Sequence, residues 1–287
     1  MKLSLCIPAY NEEKNIHYPL DSAYDLADEV IIIDAGSTDK TSEIAQSYGC
    51  KIKIFRTDNP RNFLINKQRA IEKAKGEWIL QLDADEALSE ELKKEIIELI
   101  NSQSGKEKTN NHTSQQFKDK EVVAYWIPRK NFFLNRFLMK GGVYPDYVLR
   151  LYKKENVFFD LKDLHENVKI KPDKKNQNPK TGYLKNPILH FADPDFSRYL
   201  LRWDRYTTFD AQELFQKYQG KSKGKNFLLF CQYFFIKPIV WFIKVYFRHK
   251  GLIDGFPGFV FALFSSIRFW VIYIKWWQIK NHQKSKL

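Results

Sequence analysis

Residues 76–86 read Gly-Glu-Trp-Ile-Leu-Gln-Leu-Asp-Ala-Asp-Glu. Trp78–Leu82 is too short for a helix and suits a strand buried on both faces, and Asp83 and Asp85 follow it at once. An acidic pair at the carboxyl end of a buried strand lies where open α/β sheets form their ligand crevice. Reading outward, two more predicted strands end in polar clusters. Leu3–Pro8 runs into Pro8-Ala9-Tyr10-Asn11-Glu12-Glu13, and Val30–Asp34 runs into Asp34-Ala35-Gly36-Ser37-Thr38-Asp39. Ile52–Phe55 is a fourth strand. Glu12–Ala27, Thr38–Tyr48 and Asn62–Lys75 lie between them with apolar residues three or four apart, and Glu90–Ile100 follows. This alternation implies right-handed crossovers and an α/β nucleotide-binding fold with a mostly parallel central sheet. Neither a G-x-G-x-x-G nor a G-x-x-x-x-G-K-[ST] sequence occurs, which disfavours a dinucleotide fingerprint and a P-loop.

Residues 101–120 hold one aromatic and no aliphatic side chain, a composition that reads as a mobile polar insertion. Beyond it Val122–Leu134, Tyr147–Tyr152, Val157–Phe159 and Pro187–Phe191 read as strands, and Phe196–Tyr218 as a helix. Two apolar aromatic runs, Phe227–Phe247 and Phe256–Ile274, close the chain, joined by Arg248–Gly255. The expected division is a catalytic domain at 1–220 and a basic aromatic helical region at 221–287.

The formal charge of +13 is unevenly spread over the 287 residues. Residues 1–100 carry 13 Lys/Arg against 19 Asp/Glu, whereas residues 214–287 carry 13 Lys/Arg, the single acid Asp254, and 20 of the 45 aromatic side chains. Basic and aromatic residues mixed in this way suit a membrane interface, and an acidic first third argues against a nucleic-acid partner. Lys237, Lys244 and Arg248 fall on one edge of a helix, so the two runs are expected to lie as an amphipathic hairpin in the membrane plane. The competing expectations are a bilayer span by the second run and a buried helix pair. Cys6, Cys50 and Cys231 are odd in number and far apart, so no disulfide framework is indicated, and no secretory leader is read at the start. The expected location is cytoplasmic, peripheral on the inner face of the membrane.

Two carboxylates in a D-x-D offer hard oxygen ligands for Mg²⁺ or Mn²⁺, which also grips a diphosphate. Asp34 and Asp39 flank Gly36-Ser37-Thr38, where they either accept hydrogen bonds from a ribose or base or serve a tight turn and the following helix start.

The three clusters together, in this order and spacing, resemble the inverting family 2 glycosyltransferases of the GT-A fold. Arg150-Leu151-Tyr152, His165-Glu166-Asn167-Val168, His190 and Arg205-Tyr206-Thr207 resemble the branch that adds sugars to lipopolysaccharide inner core. The resemblance implies a nucleotide-sugar donor, with UDP-sugars foremost, a lipid-linked saccharide acceptor, and inversion in one displacement. By position it assigns Pro8, Tyr10, Glu12 and Asp34 to the nucleotide pocket and Asp83 and Asp85 to metal and diphosphate. Lys67 stands where the family often has a basic residue, followed here by Gln68 where Asn is common. His190 is a candidate metal or diphosphate ligand. Inverting transfer needs a carboxylate base. Glu166 is the first candidate and Asp146, in Tyr144-Pro145-Asp146-Tyr147, the second, with acceptor binding as its other role.

Trp203 follows Arg202, but Tyr199 replaces the Gln of the Q-x-x-R-W found in processive synthases, so single addition is expected. Arg198, Arg202 and Arg205 share a helix face that either meets an anionic acceptor or is a solvated edge. The alternatives are a polyprenyl-phosphate glycosyltransferase and, in a different class, a non-catalytic membrane or nucleic-acid binding protein.

Overall fold

The computed structural model describes residues 2–60, 62–103, 122–160, 168–172, 179–193, 195–218 and 223–284. The strands are β1 (Leu3–Ala9), β2 (Glu29–Asp34), β3 (Ile52–Arg56), β4 (Trp78–Gln81), β5 (Glu86–Leu88) and β6 (Val122–Phe133). They continue with β7 (Arg136–Phe137), β8 (Asp146–Lys153), β9 (Val157–Phe159), β10 (Val168–Ile170), β11 (Lys180–Tyr183) and β12 (Ile188–His190). Two compact units emerge, one of residues 1–129 with 146–190, the other of residues 130–145 with 191–287.

In the first unit the sheet runs β3-β2-β1-β4-β8-β6-β12-β5. β1 pairs in parallel with β2 and β4, and β2 with β3, as the alternating pattern implies. β8 then joins β4 antiparallel, so the sheet is mixed beyond that point. Period-two alternation divides the core. Leu3, Leu5 and Ile7 face a cluster with Val30, Ile32, Trp78, Leu80 and Leu92, while Cys6 faces the other with Ile31, Ile33, Leu64, Ile71 and Ile79. Buried Glu29 ties the lower strand ends together, accepting from Ser4 Oγ at 2.7 Å, Lys53 Nζ at 2.6 Å and the Lys75 N–H at 2.5 Å.

The first helix is shorter than its periodicity predicts, beginning at His17 and ending at Ala23. Asn11 takes a positive φ of 55°, and the Glu12 carbonyl accepts from the N–H groups of Asn15 and Ile16. That turn occupies the residues that would have been the first helical turn. The sequence reading lacks β5, β7, β10 and β11, each four residues or fewer, too short to show a period. Most of the polar insertion lies outside the described residues, and helix Glu90–Gln103 extends to its edge.

In the second unit, helix Phe196–Tyr218 packs along the terminal helix Gly255–Lys284. Lys275 Nζ donates to the Asp204 carbonyl and Oδ1 at 2.7 Å and to the hydroxyls of Thr207 at 2.9 Å and Thr208 at 2.7 Å. Trp203 Nε1 donates to the Phe264 carbonyl at 3.2 Å. The helical run from Lys223 to Arg248 contains two π-helical segments, Gln232–Ile236 and Ile243–Arg248. Lys237 sits 3.7 Å above the Tyr233 ring, and Arg268 lies 5.1 Å from Trp241 and 5.0 Å from Phe269. The charges inside both apolar runs are therefore held over aromatic faces. Of the expected arginine face, Arg202 is paired with buried Asp193, and Arg205 lies over Tyr206 at 5.8 Å.

Candidate active site

Strand register builds the site. Pairing of Ala9 with Asp34, and of Asp34 with Arg56, levels the carboxyl ends of β1, β2 and β3. Pairing of Cys6 with Gln81 brings the end of β4 alongside, so Asp83 and Asp85 leave the sheet there. Antiparallel pairing of Leu80 with Leu151 draws Arg150 back to this end, and pairing of His190 with Glu86 brings His190 beside the D-x-D.

The first two clusters are stitched into one loop system. The Asn11 N–H donates to Ser37 Oγ at 2.9 Å, and Asn11 Oδ1 accepts from the Thr38 N–H at 2.8 Å. Thr41 Oγ1 accepts from the Glu12 N–H at 2.8 Å, and Glu12 Oε2 accepts from Asn15 Nδ2 at 2.6 Å. Asp39 Oδ1 accepts from the N–H and hydroxyl of Thr41 and Oδ2 from the Glu13 N–H at 3.1 Å, so Asp39 joins the two loops at the helix start. Asp34 is fully buried and accepts from the Ser37 N–H at 2.8 Å and Ser42 Oγ at 2.6 Å. Burial pushes its carboxyl up, and these hydrogen bonds outweigh that and leave it below the usual range. Gly36, at φ 78°, makes the turn between them. Pro8 is half-buried beside Ile33, and Tyr10 is exposed at the rim.

Behind the D-x-D runs a chain of alternating charges. Asp83 is gripped by Lys67 Nζ at 2.8 Å and Arg150 Nη2 at 2.5 Å. The same Arg150 nitrogen reaches Glu86 Oε1 at 2.9 Å, and Arg129 Nη1 reaches that oxygen at 3.2 Å. Arg129 in turn donates to Asp146 Oδ2 through Nε at 3.0 Å and Nη2 at 2.7 Å. Lys67, Arg150 and Glu86 are all buried. Three cations and three carboxylates thus compensate one another. For both Asp83 and Glu86 burial opposes ionisation, but the adjacent guanidinium of Arg150, with Lys67 or Arg129, holds each carboxyl below its ordinary range.

Asp85 turns the other way, its Oδ1 3.6 Å from His190 Nε2. No group of three or more potential metal-binding side chains occurs among the described residues. Asp85 would offer a hard oxygen ligand to a Mg²⁺ or Mn²⁺, and His190 a nitrogen ligand beside it. The structure brings together Asp34, Asp39, Glu12, Lys67, Asp83, Asp85, Asp146 and His190 at one end of the sheet. Glu166, with His165, lies outside the described residues. Sequence reasoning assigned no role to Arg129, Arg150 or Glu86. The available signal was polar residues recurring inside otherwise apolar strand runs, Arg129 in β6 and Arg150 in β8.

An acidic pair, a histidine and two stitched loops at the carboxyl ends of the parallel strands mark a candidate enzyme site of an α/β sheet. Residues 4–157 match the family described as "Glycosyl transferase family 2", and the chain belongs to that family. By that membership it is a glycosyltransferase. It is 27% identical over 271 residues to "Lipopolysaccharide core biosynthesis glycosyltransferase LpsC" of Rhizobium meliloti, covering 93% of this chain and 88% of that one. It is 29% identical over 274 residues to an "Uncharacterized glycosyltransferase" of Rickettsia bellii, covering 93% and 84%. Among solved structures, S. aureus TarS 1-349 in complex with UDP-GlcNAc is similar at 15% identity, covering 100% of this chain and 92% of that chain, TM-score 0.43. Mannosyltransferase PcManGT from Pyrobaculum calidifontis in complex with GDP-Man and Mn²⁺ is similar at 15% identity, covering 77% and 65%, TM-score 0.46.

Proposed function

We propose that the protein is a metal-dependent inverting glycosyltransferase that moves a sugar from a nucleotide-sugar donor, a UDP-sugar first among them, to a lipid-linked saccharide such as lipopolysaccharide core. It works at the cytoplasmic face of the membrane. The observation that carries this reading is the division of labour in the D-x-D: Asp85 faces His190 at 3.6 Å while Asp83 is anchored by Lys67 and Arg150. Asp85 and His190 would hold the metal, which when bound supplies positive charge against the departing diphosphate. Asp83 would orient the donor, and its two cations keep that carboxylate ionised and fixed. The stitched loops of Asn11–Glu13 and Asp34–Thr41 would form the nucleoside wall, with Tyr10 and Pro8 at its rim.

Glu166 would take the proton of the acceptor hydroxyl as its oxygen attacks the anomeric carbon and the bond to the diphosphate breaks. Asp146 is less suited to that task, because one of its oxygens already receives two Arg129 N–H groups. The test is calorimetric titration of UDP with Mn²⁺ into the full chain, followed by turnover across donor sugars with a core-saccharide acceptor. Asp85→Asn is expected to lose metal-dependent UDP binding and to lower turnover by about a hundredfold or more. Metal-independent binding that the variant leaves intact would refute the reading. In the same assay Glu166→Gln should abolish transfer to a hydroxyl, and retained transfer to a polyprenyl phosphate would establish the alternative acceptor.

A further inference from the structure

Helical segments Asn226–Arg248 and Gly251–His282 are each long and apolar enough to cross a membrane, yet only 22% and 33% of their most apolar windows are buried. Each therefore buries one face, with Leu229, Tyr233, Phe269, Ile272 and Trp276 in a shared core cluster, and leaves much of its apolar surface exposed. On the first, Ile236, Ile239, Val240, Ile243 and Phe247 are all exposed, with Ile239 at 60%. Their spacing of three to four residues gathers them on one face. Lys244 and Arg248, also exposed, border that face. On the terminal helix Phe256, Trp270, Ile274 and Trp277 make a second exposed stripe.

The link between the helices is built to present apolar side chains. Asp254 is buried and accepts the N–H groups of Met139 at 3.1 Å and Lys140 at 2.7 Å, while Arg136 Nη1 donates to its carbonyl at 2.9 Å. Gly251 and Gly258 pack so closely that a Cβ at Gly258 would stand 2.0 Å from the Gly251 oxygen. With Asp254 drawn inward, Leu252 and Ile253 before it and Phe256 after it point out, Phe256 at 71% exposure. Lys250 stands beside them, exposed.

We infer that this unit docks on one leaflet of an anionic bilayer with both helices in the membrane plane, the 252–256 tip and the Ile236–Phe247 stripe inserted among the acyl chains. Charge selects the occupant. Residues 214–287 carry 13 Lys/Arg, and their one acid, Asp254, is buried, so the rim of the stripe meets anionic headgroups. Packing selects the in-plane pose. Between Phe264 and Lys275 the terminal helix is bonded to helix Phe196–Tyr218, whose exposed Asp204, Arg205 and Glu213 would be carried into hydrocarbon if the terminal helix spanned. The docking names the mode of membrane association and stands apart from the sugar chemistry.

The test is flotation of the full chain with vesicles of phosphatidylcholine and phosphatidylglycerol at 7:3, beside phosphatidylcholine alone. Binding to the anionic vesicles, weakened by salt and released by alkaline carbonate, is expected. Trp270 and Trp277 fluorescence should be quenched more by shallow than by deep brominated acyl chains. Ile243→Asp with Phe247→Asp should lower partitioning by more than ~10-fold, since each removes several buried methylene equivalents. Lys244→Glu with Arg248→Glu should abolish the preference for anionic vesicles. Circular dichroism and UDP binding of these exposed-site variants should stay as in the parent, which separates loss of docking from failure of the enzymatic reading. Three results overturn the inference: resistance to carbonate extraction, which marks a span; absence of vesicle binding; or a stable dimer broken by the aspartate pair, which marks a second copy as the occupant.

Discussion

Arg150 is the pivot of the charge chain, and replacing it with Met puts the electrostatic argument at risk in a measurable way. Its Nη2 lies 2.5 Å from Asp83 and 2.9 Å from Glu86; Arg150 and Glu86 are buried and Asp83 is half-buried. Met preserves much of the volume but leaves Glu86 with Arg129 at 3.2 Å and the Asp83 N–H at 2.9 Å, and Asp83 with Lys67 as its remaining cation. Removing one partner of a buried pair costs about 3–5 kcal/mol. At about 2–4 °C per kcal/mol for a domain of this size, the first unit should melt roughly 6–20 °C lower. Arg150→Met with Glu86→Gln removes one charge of each sign and should recover about half of that loss. The pH dependence follows from the shifts. In the parent Asp83 and Glu86 are held below their ordinary values, so their contribution is full above about pH 4–5 and fades as pH falls further. In the single variant Glu86 has lost its nearer cation, so burial weighs more heavily against its ionised form and the penalty is largest at neutral pH and relaxes toward acid. The difference in melting temperature between parent and variant should therefore narrow from pH 7.5 to pH 5. Scanning calorimetry of the full chain without nucleotide reads all of this. A single variant within about 2 °C of the parent, or a double variant no better than the single, would show that Arg150 does not offset the burial of these carboxylates.

Gly36→Ala should cost about 1–2 kcal/mol in a urea melt, because φ 78° is left-handed while the nearest atom, the Thr57 carbonyl oxygen at 3.5 Å, leaves room for the methyl. Gly258→Ala is a steric case, with 2.0 Å to the Gly251 oxygen, and should destabilise the second unit by about 1–3 kcal/mol through displacement of the Gly251–Asp254 turn. Burial works against the ionised form of Glu29, but Lys53, the Lys75 N–H and Ser4 together depress its pKa, so its contribution is present above about pH 4.3 and lost below. Glu29→Gln should cost about 1–3 kcal/mol at neutral pH and flatten stability across that acid window, read by urea melts at pH 7 and pH 4.

The fold was legible wherever one period ran long enough to be counted. β1, β2 and β4 are apolar on both faces because helices or loops cover both, and this continuous apolarity marked them as central parallel strands. The antiparallel half was only partly legible. β5 holds three residues and doubles as the tail of the D-x-D cluster, so the chemistry of Asp83-Ala84-Asp85-Glu86 masked the strand. That masking also hid the role of Glu86. In sequence it reads as a third acid beside two ligands. In the fold its place on β5 opposite His190 turns it away from Asp85 and onto Arg150 and Arg129. Such an assignment needs the register of three strand pairings at once, β5 against β12, β4 against β8 and β6 against β8. No local pattern carries that information, because cross-strand pairing is fixed by the whole sheet. Lys67 shows the converse. Its helix was predicted, and its burial follows from the i, i+3, i+4, i+7 face that Leu64, Lys67 and Ile71 share with β1 and β2. A lysine on the core-facing side of a helix has to find a carboxylate or lose its charge, and the acid that follows the neighbouring buried strand, Asp83, is within its reach. The sequence reading did not pair Lys67 with Asp83, although its helix face contained the signal, whereas Arg150, Glu86, Arg129 and Asp146 form a network only once the sheet closes around them.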